Sequence, residues 1–280
     1  MINKYLILLF VAAFCWHGRP LLAAETNDTT IADLTNLVAK INAKIEAGKT
    51  QEADYADDLK AVDELVAKHQ GAKPEDLVQI LLIKVQLYSA IDLLDEPEKA
   101  LEVLKQIKRN FPTVQVGGNT DQVIRDLEDQ ASKWKTWHAL AVGTKFPDFA
   151  TTNLSGHPLL LAKYKDQVVL VDFWATWCLP CQAQLPYQLK TYAKYHGKGF
   201  EIVGVSLDDD QKRLLAFINN VGLPWPQTCD GQRFDGKLAT KYGIYLLPNT
   251  FLLNGQGIII AKDLRGDALE LAVSNALAGK

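Results

Sequence analysis

Cysteine is scarce in this chain, which has four cysteines among 280 residues. Small exported domains that depend on disulfides for stability carry many more cysteines for their length, so a fold held together by disulfides is excluded. Two of the four, Cys178 and Cys181, nevertheless stand close together in the stretch VDFWATWCLPCQAQLP, residues 171–186. Two thiols at this spacing can form a disulfide, bind a metal or do neither. The pair is therefore a candidate functional site.

An excess of positive charge is also absent. Lys and Arg together number 30, and Asp and Glu number 33, which gives a formal net charge of -3. Proteins that bind nucleic acid usually present a basic patch or a basic stripe with aromatic residues, and the chain has no such run. Nucleic acid is therefore not an expected partner. A hydrophobic fraction of 48% is typical of a folded globular protein rather than of a disordered one.

The N-terminus has its own composition. Lys4 precedes an apolar run over residues 5–16, and small residues follow at Ala23 and Ala24. This order is typical of a secretory signal peptide, residues 1–24, that is cleaved after Ala24. The run is shorter than the roughly 20 residues of a membrane span, so a retained N-terminal membrane anchor is the weaker alternative. We therefore expect an exported, periplasmic protein.

Residues 25–140 are predicted to form an all-α helical domain. Apolar residues recur there at three- and four-residue spacing, as on one face of an amphipathic helix. Pro74 and Pro97 each open a predicted helix, because the missing N–H group of proline has no partner in a first turn anyway. The two helices that begin at Pro74 and Pro97 resemble a tetratricopeptide-type hairpin, although such repeats need stacked neighbours to bury their apolar faces. A simple helical bundle and a surface that docks a protein partner both remain open.

Residues 141–280 carry a different pattern. Short runs rich in β-branched and aromatic residues alternate there with helical segments, which predicts an α/β domain. The predicted strands are residues 167–174, 200–207, 249–254 and 257–264. The first two are almost continuously apolar, as strands buried on both faces of a sheet are. Asn254 and Gly255 favour a tight hairpin between the last two. We expect a sheet with two parallel-type crossovers, one hairpin and a closing helix.

The paired thiols follow the first of these strands. Cys178 is predicted at the start of the next helix, with Cys181 one turn further on. Unpaired backbone N–H groups and the helix dipole favour negative charge at that point, so we expect the pKa of the Cys178 thiol to lie below its free value near 8.5. Disulfide exchange uses the thiolate, so Cys178 is the candidate nucleophile and Cys181 the thiol that closes on it.

Zinc is the main alternative for two cysteines at this spacing. A structural zinc site needs four ligands. The other candidate ligands occur singly along the sequence: Cys229, His138, His157 and His196. A redox pair is therefore favoured over a metal site or a passive disulfide, and neither a metal nor another cofactor is expected.

The motif VDFWATWCLPC resembles the active-site strand and motif of the thioredoxin superfamily. The layout around it is similar to that of the exported TlpA/ResA-type thiol–disulfide oxidoreductases, over residues 141–279. Residues 142–167 resemble the hairpin before the core, residues 208–231 the helix-and-strand insertion, and residues 238–257 the stretch with the cis-proline. The resemblance implies a thioredoxin-like α/β domain, with a mixed sheet flanked by helices, after the all-α domain, which it does not cover.

The resemblance also implies roles for individual residues. Cys178 matches the attacking thiol and Cys181 the resolving thiol of a redox-active disulfide. Pro248 matches the cis-proline that faces the disulfide and aligns an extended substrate segment. Asp172 matches a buried acid behind the cysteines, whose pKa burial raises and which exchanges a proton with Cys181 through water. Trp177, beside the nucleophile, is expected to shield it or to line the docking face.

Two positions depart from the usual pattern. Leu247 is bulkier and more apolar than the threonine or valine often found before the cis-proline, and its backbone groups contact substrate in relatives, so substrate preference stays open. Leu179 and Pro180 stand where thioredoxin has Gly-Pro, so the reduction potential stays open too. Cys229 is the odd thiol, predicted to be a buried spectator, with a third redox partner as the alternative.

These observations predict an exported thiol–disulfide oxidoreductase that acts on protein substrates, as a reductase fed by a membrane electron donor. The direction of electron flow follows from the resemblance alone. A thiol peroxidase is one alternative, although the sequence has no proline before Thr176 where the peroxidase motif needs one. A partner-binding module with a vestigial dithiol is the other. A protein partner of the helical domain is a further expectation.

Overall fold

A computed structural model describes residues 28–90 and 95–279 of the chain. The predicted signal peptide, residues 1–24, lies outside the described residues. Among the helices that are described, none combines the length and the apolar character that crossing a membrane requires. The chain divides into two compact units, with the boundary between Ala131 and Ser132.

The first unit is helical, as predicted. Its helices are α1 (Asp28–Glu46), α2 (Glu52–Lys68), α3 (Pro74–Ser89), α4 (Pro97–Asn110) and the first part of α5 (Thr120–Ala139). Each of the first three packs against the next along the chain. Pro74 and Pro97 are the first residues of α3 and α4, where proline needs no N–H partner.

The core of the first unit forms from residues at helical spacing. Tyr55, Leu59 and Val62 recur on one face of α2 and are buried. Asp58 of α2 is buried beside them and makes ion pairs with Lys40 and Lys44 of α1. A buried carboxylate without such partners would be strongly destabilising, so the pairs compensate for its loss of water.

The second unit is an α/β fold, as predicted. Its strands are β1 (Ala150–Thr152), β2 (Pro158–Leu160), β3 (Val168–Trp174), β4 (Phe200–Ser206), β5 (Gln227–Thr228), β6 (Asn249–Leu253) and β7 (Ile259–Lys262). Its helices are the end of α5, α6 (Leu179–Gln182), α7 (Leu185–Tyr195), α8 (Gln211–Val221), α9 (Lys237–Lys241) and α10 (Asp267–Ala278). Strands β1 and β2 form the separate hairpin that precedes the core.

The main sheet has the strand order β5-β4-β3-β6-β7. Strand β4 runs parallel to both β3 and β5, whereas β6 runs antiparallel to both β3 and β7. The predicted mixed sheet, with two parallel crossovers, a hairpin and a closing helix, is therefore confirmed. Every residue of β3 and β4 is buried, which explains their almost continuous apolar sequence. The side-chain oxygen of Asn254 accepts hydrogen bonds from the backbone N–H groups of Gln256 and Ile258, and these bonds shape the hairpin turn.

Cys178 lies at the start of a helix with Cys181 one turn further on, as predicted. This helix, α6, has only four residues, and the longer helix α7 begins at Leu185. The interruption has a local cause, because the nitrogen of Pro186 cannot donate to the carbonyl of Gln182. The helix at the cysteines therefore aligns fewer peptide dipoles than a continuous helix would.

Candidate active site

Cys178 and Cys181 form a disulfide, with the sulfur atoms 2.05 Å and the Cα atoms 5.2 Å apart. The backbone N–H of Cys181 also donates to Sγ of Cys178 at 3.2 Å, which closes the first turn of α6 around the sulfur. Cys178 is 6% exposed and Cys181 2%, whereas Leu179 between them is 74% exposed. In this oxidised form Cys178 is the more exposed of the two cysteines, and the apolar side chain of Leu179 stands beside it.

The loop that presents Cys178 is tied to the neighbouring strand. The backbone N–H and the hydroxyl of Thr176 donate to the two carboxylate oxygens of Asp208, at 2.9 Å and 2.5 Å. The hydroxyl of Ser206, the last residue of β4, donates to the same carboxylate at 2.8 Å. Because β3 and β4 are parallel, their carboxyl ends meet at one edge of the sheet. Asp208 thus fixes the segment between β3 and the disulfide.

Asp172 lies in the middle of β3 and is 2% exposed. Burial raises the pKa of its carboxyl to about 6, against the opposing effects of a hydrogen bond from Gln188 and of the positive charge of Arg265. The Gln188 amide donates to Oδ2 at 3.0 Å, while Oδ1 has no hydrogen-bond partner among the described residues. The expected burial and raised pKa are therefore found, and the proton exchange with Cys181 stays a prediction.

Pro248 follows a cis peptide bond with Leu247, as the resemblance implied. It directly precedes β6, whose first residue, Asn249, is paired with Phe173 near the end of β3. The antiparallel pairing therefore brings Pro248 to the same end of the sheet as the cysteines. Pro248 is buried and Leu247 is half-buried. The Arg265 guanidinium donates to the carbonyl oxygen of Pro248 at 2.5 Å.

Trp177 is half-buried and packs on residues that come just after the insertion. Its ring lies 6.1 Å from the ring of Phe234, and the guanidinium of Arg233 lies 5.0 Å from its centre. An arginine at this distance from an indole face is attracted by the ring electrons, which holds the indole in place. These contacts therefore hold the Trp177 ring in a fixed position next to Cys178.

Comparison with known proteins agrees with this geometry. The chain is 34% identical over 122 residues to the thiol-disulfide oxidoreductase ResA of Bacillus thuringiensis (strain Al Hakam), covering 43% of this chain and 68% of the relative. It is 35% identical over 119 residues to ResA of Geobacillus kaustophilus (strain HTA426), covering 42% of this chain and 67% of that relative.

The chain belongs to the ResA family of thiol–disulfide oxidoreductases. It is thus an enzyme, and its family membership rests on the second unit. A family model described as AhpC/TSA matches residues 142–262 of this ResA-family chain. Among solved structures, the thioredoxin domain of a thiol-disulfide oxidoreductase from Bacteroides vulgatus is 34% identical and covers 49% of this chain and 98% of its own, with a TM-score of 0.46.

Cys229 of this ResA-family enzyme is not disulfide-bonded and is half-buried. Its thiol donates to the backbone carbonyl of Asp208 at 3.0 Å, and burial raises its pKa. A raised pKa leaves less thiolate at neutral pH, which disfavours attack on a disulfide. These contacts favour the spectator interpretation, and the role of Cys229 stays a prediction. Within residues 28–90 and 95–279, no cluster of three or more His, Cys, Asp and Glu could hold a metal ion.

Sequence reasoning missed several groups that shape this ResA-family site. Gln188 follows Cys181 by seven positions, a spacing that places two residues on one helix face, so the helical pattern held a usable signal. Asp208 and Thr176 come just after two parallel strands, and that placement was also a signal. Arg265 lies in the loop between β7 and α10, and nothing local in the sequence links it to Pro248.

Replacing Gln188 with methionine is expected to raise the Asp172 pKa above about 6. The carboxylate then loses its amide donor, and a hydrogen bond to a charged group contributes about 1.5–3 kcal/mol, equivalent to roughly one to two pKa units. Carboxyl ¹³C titration of the oxidised protein measures this directly. Gln182→Met is the matched control, because the Gln182 amide donates to the carbonyl of Thr176 instead. An unchanged Asp172 pKa in Gln188→Met would contradict the assignment.

Proposed function

We propose that this ResA-family enzyme is an exported reductase of protein disulfides that works through Cys178 and Cys181. The single observation that carries the proposal is the disulfide itself. It follows strand β3, which carries the buried Asp172, and the cis Leu247-Pro248 peptide precedes the neighbouring strand β6 at the same end of the sheet. A passive disulfide needs none of these neighbours.

The catalytic cycle begins with both cysteines reduced. The Cys178 thiolate attacks one sulfur of a substrate disulfide, so that a Cys178–substrate bond forms and the other substrate sulfur leaves as a thiolate that takes up a proton. Cys181 then loses its proton and attacks Sγ of Cys178. The Cys178–Cys181 disulfide forms, the mixed disulfide breaks and the second substrate thiol is released. Two electrons pass from the enzyme to the substrate.

Asp172 is the proposed acceptor of the Cys181 proton. A carboxyl with a pKa of about 6 is mostly ionised at neutral pH yet lies close enough to neutrality to bind and release a proton readily. Its Oδ1 atom, which has no hydrogen-bond partner in the described part of the chain, is free to accept. A bridging water between Asp172 and Cys181 is part of this proposal.

Substrate docking is assigned to the face around the disulfide. Pro248 and Leu247 align an extended substrate segment, and Trp177 with the exposed Leu179 contributes apolar surface. Apolar and backbone contacts of this kind suit unfolded or loop segments of proteins rather than small polar disulfides. The substrate class is therefore a protein disulfide.

The remaining parts of the proposal rest on the sequence. The basic-then-apolar segment at residues 1–24 supports export to the periplasm, or retention there by an N-terminal anchor. Regeneration needs two electrons from a second dithiol protein, which we propose to be a membrane electron donor. We further propose that the two compact units, which meet between Ala131 and Ser132 rather than at the predicted boundary of residues 140 and 141, act as separate domains, the helical one as a docking surface for a protein partner.

The proposed reductase activity is tested by insulin reduction and by the equilibrium with glutathione. The enzyme with dithiothreitol is expected to precipitate insulin chains well before dithiothreitol alone does. The Cys178–Cys181 couple should lie nearer to thioredoxin's value of about -270 mV than to the value of about -120 mV typical of a strong oxidant. A potential near the second value would show that the enzyme is an oxidant instead.

A further inference from the structure

The C-terminal end of helix α5 belongs to the second compact unit, which carries the disulfide. Residues of α5 from Ser132 onward belong to the second compact unit, and the family match begins only at residue 142. In this part of α5 the indole N–H of Trp137 donates to the side-chain oxygen of Asn249 at 3.0 Å. Asn249 is 1% exposed and directly follows the cis-proline, Pro248. A residue outside the matched region thus reaches the segment assigned to substrate docking.

Trp137 is itself held in place by neighbours on the same side of the unit. The ammonium group of Lys262 donates to the Trp137 carbonyl at 2.9 Å and lies 3.1 Å from the centre of its ring. The ring also meets that of Tyr245 edge-on, with the centres 6.4 Å apart. The indole N–H therefore points to Asn249 from a fixed position.

The backbone of α5 also lies against the chain just before the cis-proline. Gly243 has a φ of +65°, and a Cβ atom there would lie 2.2 Å from the Lys133 carbonyl oxygen and 2.6 Å from the Trp137 nitrogen. Only glycine permits this approach, because any side chain would displace the helix. The segment from Gly243 to Asn249 is thus fixed to the helix at both of its ends.

We propose that Trp137 is a positioning residue for substrate binding, acting through Asn249 on the cis-proline segment. The inference rests on the proposed docking role of Leu247 and Pro248. Arg265 donates to the Pro248 carbonyl, and Trp137 donates to the side chain of the next residue, Asn249. Within the described residues the Asn249 amide nitrogen has no hydrogen-bond partner, so the bond from Trp137 fixes the orientation of this side chain.

If Trp137 positions the substrate segment, its loss should impair the reduction of protein disulfides but not that of a small disulfide. A protein substrate must align along Leu247 and Pro248, whereas a small aromatic disulfide needs only access to the Cys178 sulfur. Loss of the indole hydrogen bond therefore weakens binding of the protein substrate and leaves the reactivity of the thiol unchanged. A purely structural role for Trp137 would lower both activities together.

The test compares Trp137→Phe with Trp134→Phe in the full chain. Phenylalanine keeps an aromatic ring beside Lys262 but cannot donate to Asn249. Trp134 is the matched control, because it lies one turn earlier and its indole nitrogen has no hydrogen-bond partner in the described part of the chain. The readouts are the KM for insulin, the rate constant of the reduced enzyme with 5,5′-dithiobis(2-nitrobenzoic acid), and the thermal unfolding midpoint.

In Trp137→Phe we expect the KM for insulin to rise about 3- to 10-fold, the range that loss of one hydrogen bond produces. The rate constant with the small disulfide and the unfolding midpoint should match those of Trp134→Phe and of the wild type. In an Asn249→Ala background, Trp137→Phe should add no further increase in KM, because the two residues act as one unit.

An unchanged KM for insulin in Trp137→Phe, with an active wild-type enzyme, overturns this inference alone. An equal loss with insulin and with the small disulfide overturns it too, because it shows a general structural role. If the wild-type enzyme reduces insulin no faster than dithiothreitol alone, the proposed reductase function fails and the inference falls with it.

Discussion

Replacing Cys181 with serine is expected to convert the enzyme into a trap for its substrates. The Cys178 thiolate still attacks a substrate disulfide, but no second thiol can break the mixed disulfide that results. The covalent complex should accumulate in a non-reducing gel and disappear when dithiothreitol is added. Because the complex is linked through Cys178, mass spectrometry of the trapped protein should find the substrate peptide on that residue.

Replacing Cys178 instead is expected to remove activity altogether. Loss of the attacking sulfur should lower the rate of insulin reduction by at least about 1,000-fold, as loss of a covalent nucleophile does in other enzymes. Cys229→Ser is the control, since the Cys229 thiol donates to the Asp208 carbonyl and lies outside the disulfide. Substrate trapped on Cys229 in the Cys181→Ser variant would contradict the assignment and favour a third redox thiol.

Replacing Asp172 with asparagine is expected to stabilise the oxidised protein while slowing its chemistry. The carboxyl has an ordinary pKa of 3.8 and a pKa of about 6 in the fold. The folded state therefore binds the proton more tightly, and stability falls as the pH rises from about 4 to about 6. Above that range the carboxyl is buried in its charged form. A pKa shift of this size lowers the free energy of unfolding by about 3 kcal/mol.

Asparagine carries no charge and has nearly the same shape, so Asp172→Asn should unfold with a free energy about 2–3 kcal/mol larger at pH 8. Below pH 4 the difference should vanish, because the wild-type carboxyl is then protonated in both states. Urea titrations at both pH values measure it. Resolution of a mixed disulfide should meanwhile slow by about 100-fold or more, since proton transfer by a positioned group contributes that much. Equal stability at pH 8 would contradict the buried charge.

Much of the second unit was predictable because its signals are local. Apolar runs marked the buried strands β3 and β4, Asn254-Gly255 marked the hairpin, and the Cys-x-x-Cys motif marked the disulfide. The break between α6 and α7 was not predicted, although Pro186 carried the information. The pattern of apolar residues continues across the break, and the missing N–H group of one proline outweighed it.

The groups that surround the disulfide were harder to find, because their partners are distant in sequence. The hydrogen bond between Trp137 and Asn249 spans 112 positions, and the one between Arg265 and Pro248 spans 17. Neither pair has a periodicity or spacing that would link its members. Residues 132–140 were assigned to the helical domain on their helical pattern, which does not tell which core a helix end packs against. Tertiary contacts place residues from Ser132 onward in the second unit.

The central claim is that Cys178 and Cys181 together deliver two electrons to a protein disulfide, and a single turnover tests it most directly. The fully reduced enzyme is mixed with one equivalent of insulin, quenched with acid, alkylated and mapped by mass spectrometry. We predict one new Cys178–Cys181 disulfide for every two insulin thiols that appear, with Cys229 alkylated throughout. Insulin thiols that appear while Cys178 and Cys181 remain reduced, or a new disulfide that contains Cys229, would contradict the account.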